Sequence, residues 1–548
     1  MDRKYFERDA SHLRTTPFGI FIDQAGYLPE SEKRAVLPSG CENFDIIGTD
    51  GSVRYTGKTL SFGYDEASGD DVCIADFSDF SEEGTFRIRS GDKLSAMFGI
   101  GGSVYDSVIR DTSKAFYFLR CGCGLEREYA GDYIHGKCHT ENAVLWDDPS
   151  VSLDVSGGWH DAGDYGRYVT AGAVAAAHLL YAYKLYPEVF DKLTLGIPES
   201  PLPDILAEVK YELDWMLKMQ RPDGAVYHKV TTALHAPFVM PEDDNDQLFV
   251  FHISSMATAD FAAVTALASG ICRRFDPEYA DILGEASIRA ADWLEKNPEF
   301  VGFVNPEGCN TGGYYERDAN SNIYWAFAEL YALTGDPHYH EEMLKTMEKE
   351  FPLTAFGYGE VGGLGSLAYL LCSRAKDSDT EAKLRKAFSD KAAQLREASD
   401  SCGYGVAMLR NEYCWGSNMN VAKNGMIFAV DDFINGTDSR RYAERQLHYL
   451  LGTNALGISY ITGTGEFRYN YPHLRPAFAD GIEECMPGMV SGGPNGRPAD
   501  PFARQVIKDG TPPMKCYADD TSSYSLNEIT IYWNSPTVFL LGYIVSAD

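Results

Sequence analysis

From Gly101 onward the chain is dominated by segments whose apolar residues recur at the helical period, and the number of these segments limits the folds open to it. Twelve are predicted, at 104–121, 168–190, 203–220, 257–275, 279–297, 320–335, 338–351, 362–373, 378–402, 418–435, 439–452 and 529–545. Ile205, Val209, Leu213 and Met216 fall on one helix face, and Val264, Leu267 and Ile271 on another. Hardly a strand is expected among them. Six helical hairpins closed into a double ring, an (α/α)6 barrel, use that number of helices. The long connections at 157–166, 221–256 and 453–528, rich in Gly, Pro and aromatics, are then free to build a site at one end. An α-solenoid is the rival arrangement, but no fixed-period self-similarity is found. Before Gly101 the pattern changes to short runs such as KRAVLP, FDIIG, DVCIADFS and GTFRIRSG, punctuated by Gly, Pro, Asp and Ser. These predict a small β-sandwich over 17–101, followed by the helical domain over 104–548.

The totals narrow the function. With 548 residues the chain exceeds one ordinary core. No run approaches the roughly 18 apolar residues of a membrane span, so no membrane is expected. A net charge of −32 repels phosphate backbones and anionic lipid heads, which argues against nucleic acid. The start, MDRKYFERDASHLRTTPFG, lacks an apolar core segment, so a cytoplasmic chain is expected, or an exported one whose leader has been removed. The 12 cysteines are mostly scattered and do not read as a disulfide framework. A monomer is expected.

The stretch GGWHDAGDYGRYV, residues 157–169, sets Asp161 and Asp164 three residues apart among glycines and aromatics. Water attack on a glycosidic bond needs one carboxylate to take a proton and one carboxylic acid to give one. Two aspartates in a Gly-flanked turn can grip one water together. A partner acid is found in SYSLNEITIYWN, where Glu528 opens the predicted last helix beside apolar and aromatic surface that favours its protonated form. The same residues also read as a helix cap, for Glu528, and as turn formers or calcium ligands, for the aspartate pair.

GGWHDAGDYGRYV, then YPHLRP at 471–476, then SYSLNEITIYWN at 523–534, resemble in order the three signatures of glycoside hydrolase family 9, inverting β-1,4-glucanases with an (α/α)6 barrel. IDQAGYLPESEKRAVLP resembles the immunoglobulin-like domain that precedes the barrel in one bacterial branch, and the likeness covers essentially the whole chain. It implies Asp164 as general base, Asp161 as the second carboxylate on the water, and Glu528 as general acid. It implies His473 and Arg475 as sugar-binding donors, with Tyr524 in the same subsite. Leu474 stands where a second His is usual. The substrate implied is a β-glucan or cello-oligosaccharide cut in endo fashion. The alternatives are an exo-acting cellodextrinase or exo-β-glucosaminidase of the same family, or a non-catalytic glycan-binding protein.

Cys121, Cys138, His139 and His160 form a second constellation, two thiols and two imidazoles suited to tetrahedral Zn(II). Cys138-His139 resembles the structural zinc site of family members with this N-terminal domain. Cys123 and His135 are substitutes for Cys121 and His139. A metal there would pin the turn that carries Asp161. Calcium is a further expectation: Asp480 is its best single candidate, the runs 242–244 and 519–520 are others, and Asp318-Ala319-Asn320-Ser321-Asn322 lacks the Asp-Glu pair usual in one family calcium loop. For stacking on sugar rings the candidates are Trp159, Trp325, Trp415, Tyr358 and Tyr165.

Overall fold

The structure, a computed structural model, describes residues 17–546. The segment 1–16, most of the stretch read for a leader, and residues 547–548 lie outside the described residues. The chain divides into two compact units, one made of residues up to 115 with 392–432 and 436–548, the other of 116–391 with 433–435. The expected division at 101–104 separates strands from helices. Compactness divides the chain elsewhere because residues before 101 are bonded to C-terminal residues such as Arg445, His448, Gly457 and Phe467.

In the first unit the strands are Gly26–Tyr27, Arg34–Pro38, Asn43–Gly48, Val53–Asp65, Asp70–Asp76, Gly84–Ser90, Lys93–Leu94 and Phe98–Ile100. Val53–Asp65 pairs with Asn43–Gly48 along its first half and with Asp70–Asp76 along its second, with a register shift between Ser61 and Gly63. Phe44, Ile46 and Ala75 from these pairings, with Ile88 of Gly84–Ser90 and Phe98 of Phe98–Ile100, close over Tyr27 and Phe77. Polar residues then fasten these strands to the C-terminal part of the same unit. Asp23 Oδ2 lies 2.8 Å from His448 Nδ1, and Arg445 makes a fork-like pair with Glu32 at 2.6 and 2.7 Å. The Gln24 amide donates to the carbonyls of Gly457 and Phe467, both at 2.9 Å.

In the second unit Val169–Leu185, Ser255–Cys272, Asn320–Thr334 and Gly362–Leu371 are buried almost all round. Asp204–Lys218, Pro277–Lys296 and Pro337–Thr346 each keep one exposed face. Helix starts follow local chemistry: Ser254, Asp276 and Asp336 accept the N–H of Ala257, Tyr279 and His338, with Pro277 and Pro337 at the first helical position. Ser255–Cys272 is long and apolar enough to cross a membrane, yet 89% of it is buried within the protein.

Helices are found at all twelve predicted places. Two points differ from the sequence reading. A five-stranded sheet, in the order Ser152–Leu153, Ala143–Leu145, Phe249–Val250, Lys229–Thr231, Arg167–Tyr168, is built from stretches in which no strand was expected, and it takes in Tyr168, read as the start of the helix 168–190. Its strands of two or three residues are too short to show an alternating pattern. The last helix starts at Ile531, not at Glu528, because the Thr530 side chain accepts the Trp533 N–H and caps it there.

Candidate active site and metal centre

The GGWHDAGDYGRYV segment enters its turn through Gly157 and Gly158, at φ of 107° and 77°, and leaves it as the strand Arg167–Tyr168 that leads into Val169–Leu185. On the entering side the Cys121 N–H bonds to the Gly158 carbonyl and the His160 N–H to the Leu119 carbonyl, both at 2.7 Å. The Asp161 N–H closes the turn on the Gly166 carbonyl at 2.9 Å.

Asp161 is only 2% exposed. The Tyr314 hydroxyl donates to its Oδ2, and its Oδ1 is buried with no hydrogen-bond partner among the described residues. Burial, and then the neighbouring Asp164 charge, push the Asp161 carboxyl well above its ordinary range. Asp164 Oδ2 accepts the Tyr168 hydroxyl at 3.1 Å and the Gly166 N–H at 3.2 Å, with His235 Nδ1 at 3.5 Å. Tyr314 sits at φ 47°, and its ring lies 4.8 Å from Tyr168 and 4.7 Å from Tyr358. Tyr314 and His235 were not singled out in the sequence, because neither lies near a catalytic motif.

Cys121, Cys138, His139 and His160 come together, all buried, with their ligand atoms within 4.8 Å of one another. Cys121 Sγ is 3.6 Å from His139 Nδ1, and His139 Nε2 faces Asp244 Oδ2 at 3.1 Å. A carboxylate on the far ring nitrogen fixes the tautomer that leaves Nδ1 free to bind a metal. His160 Nε2 is buried and has no partner among the described residues. His139 holds φ 50°, unusual for a residue with a side chain. Two thiols, two imidazoles and an orphaned ring nitrogen fit a four-coordinate metal. The substitutes fall outside: His135 turns its Nδ1 to the Gly136 carbonyl, and Cys123 is absent from the cluster.

The other sequence-selected residues gather in the first unit. The His473 N–H bonds to the Asn527 carbonyl at 2.9 Å, pairing His473 with Glu528 as a parallel bridge. His473 Nδ1 is held by the Thr521 carbonyl at 2.7 Å. The Tyr524 ring is 5.9 Å from His473 and 5.2 Å from Trp415, which is 45% exposed. Asp519 accepts the N–H groups of Asn470 and Tyr471 at 2.8 Å and the Asn527 amide at 3.0 Å, so one buried carboxylate ties the two motifs together. Glu528, half-buried, lies in the extended bend between Tyr524–Asn527 and Ile531–Val545. Arg475 opens the short helix Arg475–Ala479, and Leu474 is a core residue.

Two expected stacking platforms lie in the core. Trp159 is 1% exposed, with its indole N–H donated to Glu208 Oε1, and Trp325 is 0% exposed, with its N–H donated to Glu329. Neither presents a ring face, because both indoles fill helix interfaces. Tyr165 is buried too, against His139 and His160, with its hydroxyl on the Val239 carbonyl. Tyr358 remains open at 36%.

In the stretch 318–322, Asn322 donates its amide to Asp260 Oδ1 at 2.9 Å and reaches Glu316 Oε1 at 3.5 Å. Asp480 accepts the Ile482 N–H at 2.8 Å and belongs to no cluster of three or more ligating His, Cys, Asp or Glu among the described residues.

Residues 105–541 match the sequence profile of Glycosyl hydrolase family 9, and residues 16–95 that of the cellulase N-terminal Ig-like domain. The chain belongs to glycosyl hydrolase family 9. A cellodextrinase of Butyrivibrio fibrisolvens is 44% identical to it, over 96% of this chain and 99% of that one. A single-mutant thermostable endoglucanase from Alicyclobacillus acidocaldarius superposes with a TM-score of 0.92 at 33% identity, covering 96% of this chain and 100% of that one. A zinc-binding triple mutant of a family 9 endoglucanase does so at 0.89 and 34% identity, covering 94% and 99%. The helical region therefore carries the (α/α)6 architecture of family 9 behind an Ig-like domain, and the protein is a glycoside hydrolase.

Proposed function

We propose that the protein hydrolyses β-1,4 bonds of soluble glucans and cello-oligosaccharides with inversion. Asp164 is the general base, Asp161 holds the attacking water and Glu528 is the general acid. The observation that carries this reading is Asp161, a buried carboxyl with one oxygen taken by Tyr314 and the other left as an acceptor for a water. Asp164, three residues on, takes the proton from that water, while Glu528 gives one to the departing oxygen. His473 and Arg475 supply donors for ring hydroxyls, and Trp415, Tyr524 and Tyr358 supply ring faces.

Zinc is assigned to Cys121, Cys138, His139 and His160, supported by the donor set and by zinc binding in a triple mutant of a related family 9 endoglucanase. When bound it supplies rigidity, since four protein ligands leave no position for a substrate.

Endo action is supported by the endoglucanase likeness. The 44% identity to a cellodextrinase along nearly its whole length favours a second reading, an enzyme preferring short oligosaccharides. Proton NMR of the first products from cellotetraose should show α-anomers, and β-anomers would overturn the mechanism. Product sizes from barley β-glucan, cellotetraose and chitosan oligomers separate the substrate readings.

A further inference from the structure

Glu212 lies on Asp204–Lys218 and is 1% exposed. Its Oε2 accepts the main-chain N–H of Trp159 at 2.6 Å, two residues before Asp161. The space that holds this carboxyl is shaped by two glycines. A Cβ on Gly172, inside the buried helix Val169–Leu185, would stand 2.2 Å from Glu212 Oε1. A Cβ on Gly158 would stand 3.0 Å from Oε2 and 2.8 Å from the Trp215 ring.

One helical turn earlier, Glu208 accepts the Trp159 indole N–H at 2.8 Å and is itself held by Arg120 at 2.8 and 3.1 Å. From the other side Arg167 Nη1 donates to the carbonyls of Val155 and Gly157 at 2.5 and 2.9 Å. The segment entering the turn is thus fixed by side chains at 155, 157 and 159. At Trp159 both main chain and ring are held.

We propose that Glu212 is a positioning residue for the Asp161–Asp164 turn, acting through its hydrogen bond to the Trp159 N–H. The inference rests on the assignment of Asp164 and Asp161 to the water. It gives a function to a carboxyl buried between Gly158 and Gly172 and bonded to the Trp159 main chain. Small displacements of a reacting group cost about 10²-fold in rate. Loss of the Trp159 anchor therefore lowers turnover and leaves substrate binding to the residues that make it.

The test uses the full chain with its metal. Glu212→Met keeps the volume and removes the acceptor, whereas Glu212→Gln keeps an acceptor oxygen at the same reach. On cellotetraose the Met variant should lose about 10²-fold in kcat with KM within about 3-fold, at unchanged metal content, and the Gln variant should return to within about 3-fold of the parent. A Met variant with parental kcat per folded, metal-loaded molecule overturns the proposal, and so does a Gln variant as slow as Met. Should Met not fold, Glu212→Asp, one methylene shorter, replaces it: Asp slow and Gln fast supports the role, while equal rates overturn it. Asp164→Asn is run alongside. If that variant stays active, the base assignment fails, whatever Glu212 does.

Discussion

The main chain of His473 runs beside that of Glu528, joined by the bond from the His473 N–H to the Asn527 carbonyl. The proposed sugar-binding motif and the proposed acid thus come from segments over fifty residues apart yet share one backbone bridge. Glu528→Gln should lose about 10²–10⁴-fold in kcat while retaining oligosaccharide binding by calorimetry, because only the proton is removed. Full activity would exclude Glu528 as the acid.

Tyr314→Phe tests the setting of Asp161. The ring remains against Tyr168 and Tyr358, but the hydroxyl that occupies Asp161 Oδ2 is gone. A fall of about 10–100-fold in kcat, with little change in KM, is expected from steady-state kinetics.

Metal analysis should return about one zinc per chain. Asp244→Asn leaves all four ligands in place but withdraws the carboxylate behind His139, and should weaken zinc binding about 10–100-fold in a chelator competition. Unchanged affinity would mean that Asp244 does not support the site.

Asp260 and Glu316, both facing the Asn322 amide, make stability depend on pH. Burial first, with their mutual repulsion at Glu316, raises both carboxyls far above the unfolded range of about 4. At these two groups the folded protein therefore holds more protons than the unfolded chain between about pH 4 and about pH 9. Stability conferred by the neutral pair is complete below about pH 4 and declines as pH rises through the raised values. Thermal unfolding should show a midpoint falling from weakly acidic to alkaline pH, and the slope should flatten in Asp260→Asn. An unchanged slope would refute the account.

Periodicity disclosed helices such as Asp204–Lys218, where Ile205, Val209, Leu213 and Met216 repeat along one face. It could not distinguish a stacking tryptophan from a packing one: Trp415 is open and Trp325 sealed, although both lie near polar loop residues in the sequence. Asp161 and Asp164 stood out because they share one short glycine-rich stretch, whereas Cys121, Cys138, His139 and His160, which the structure brings together, are irregularly spaced and were singled out with the help of the family resemblance. Tyr314 was not, since its partner lies 153 residues away and nothing local marks it. Glu528, read at the head of the last helix, lies before it, because Thr530, two residues later, is the better cap.

The Asp23, Gln24 and Glu32 contacts bear on how the chain can be dissected. A truncation starting at the first helix would strip the guanidinium of Arg445 of Glu32 and the imidazole of His448 of Asp23, and would leave the Gly457 and Phe467 carbonyls without the Gln24 amide. The strand-rich segment is therefore part of the foundation on which the C-terminal motifs rest, and cutting it away should cost solubility and folding before it reveals anything about catalysis.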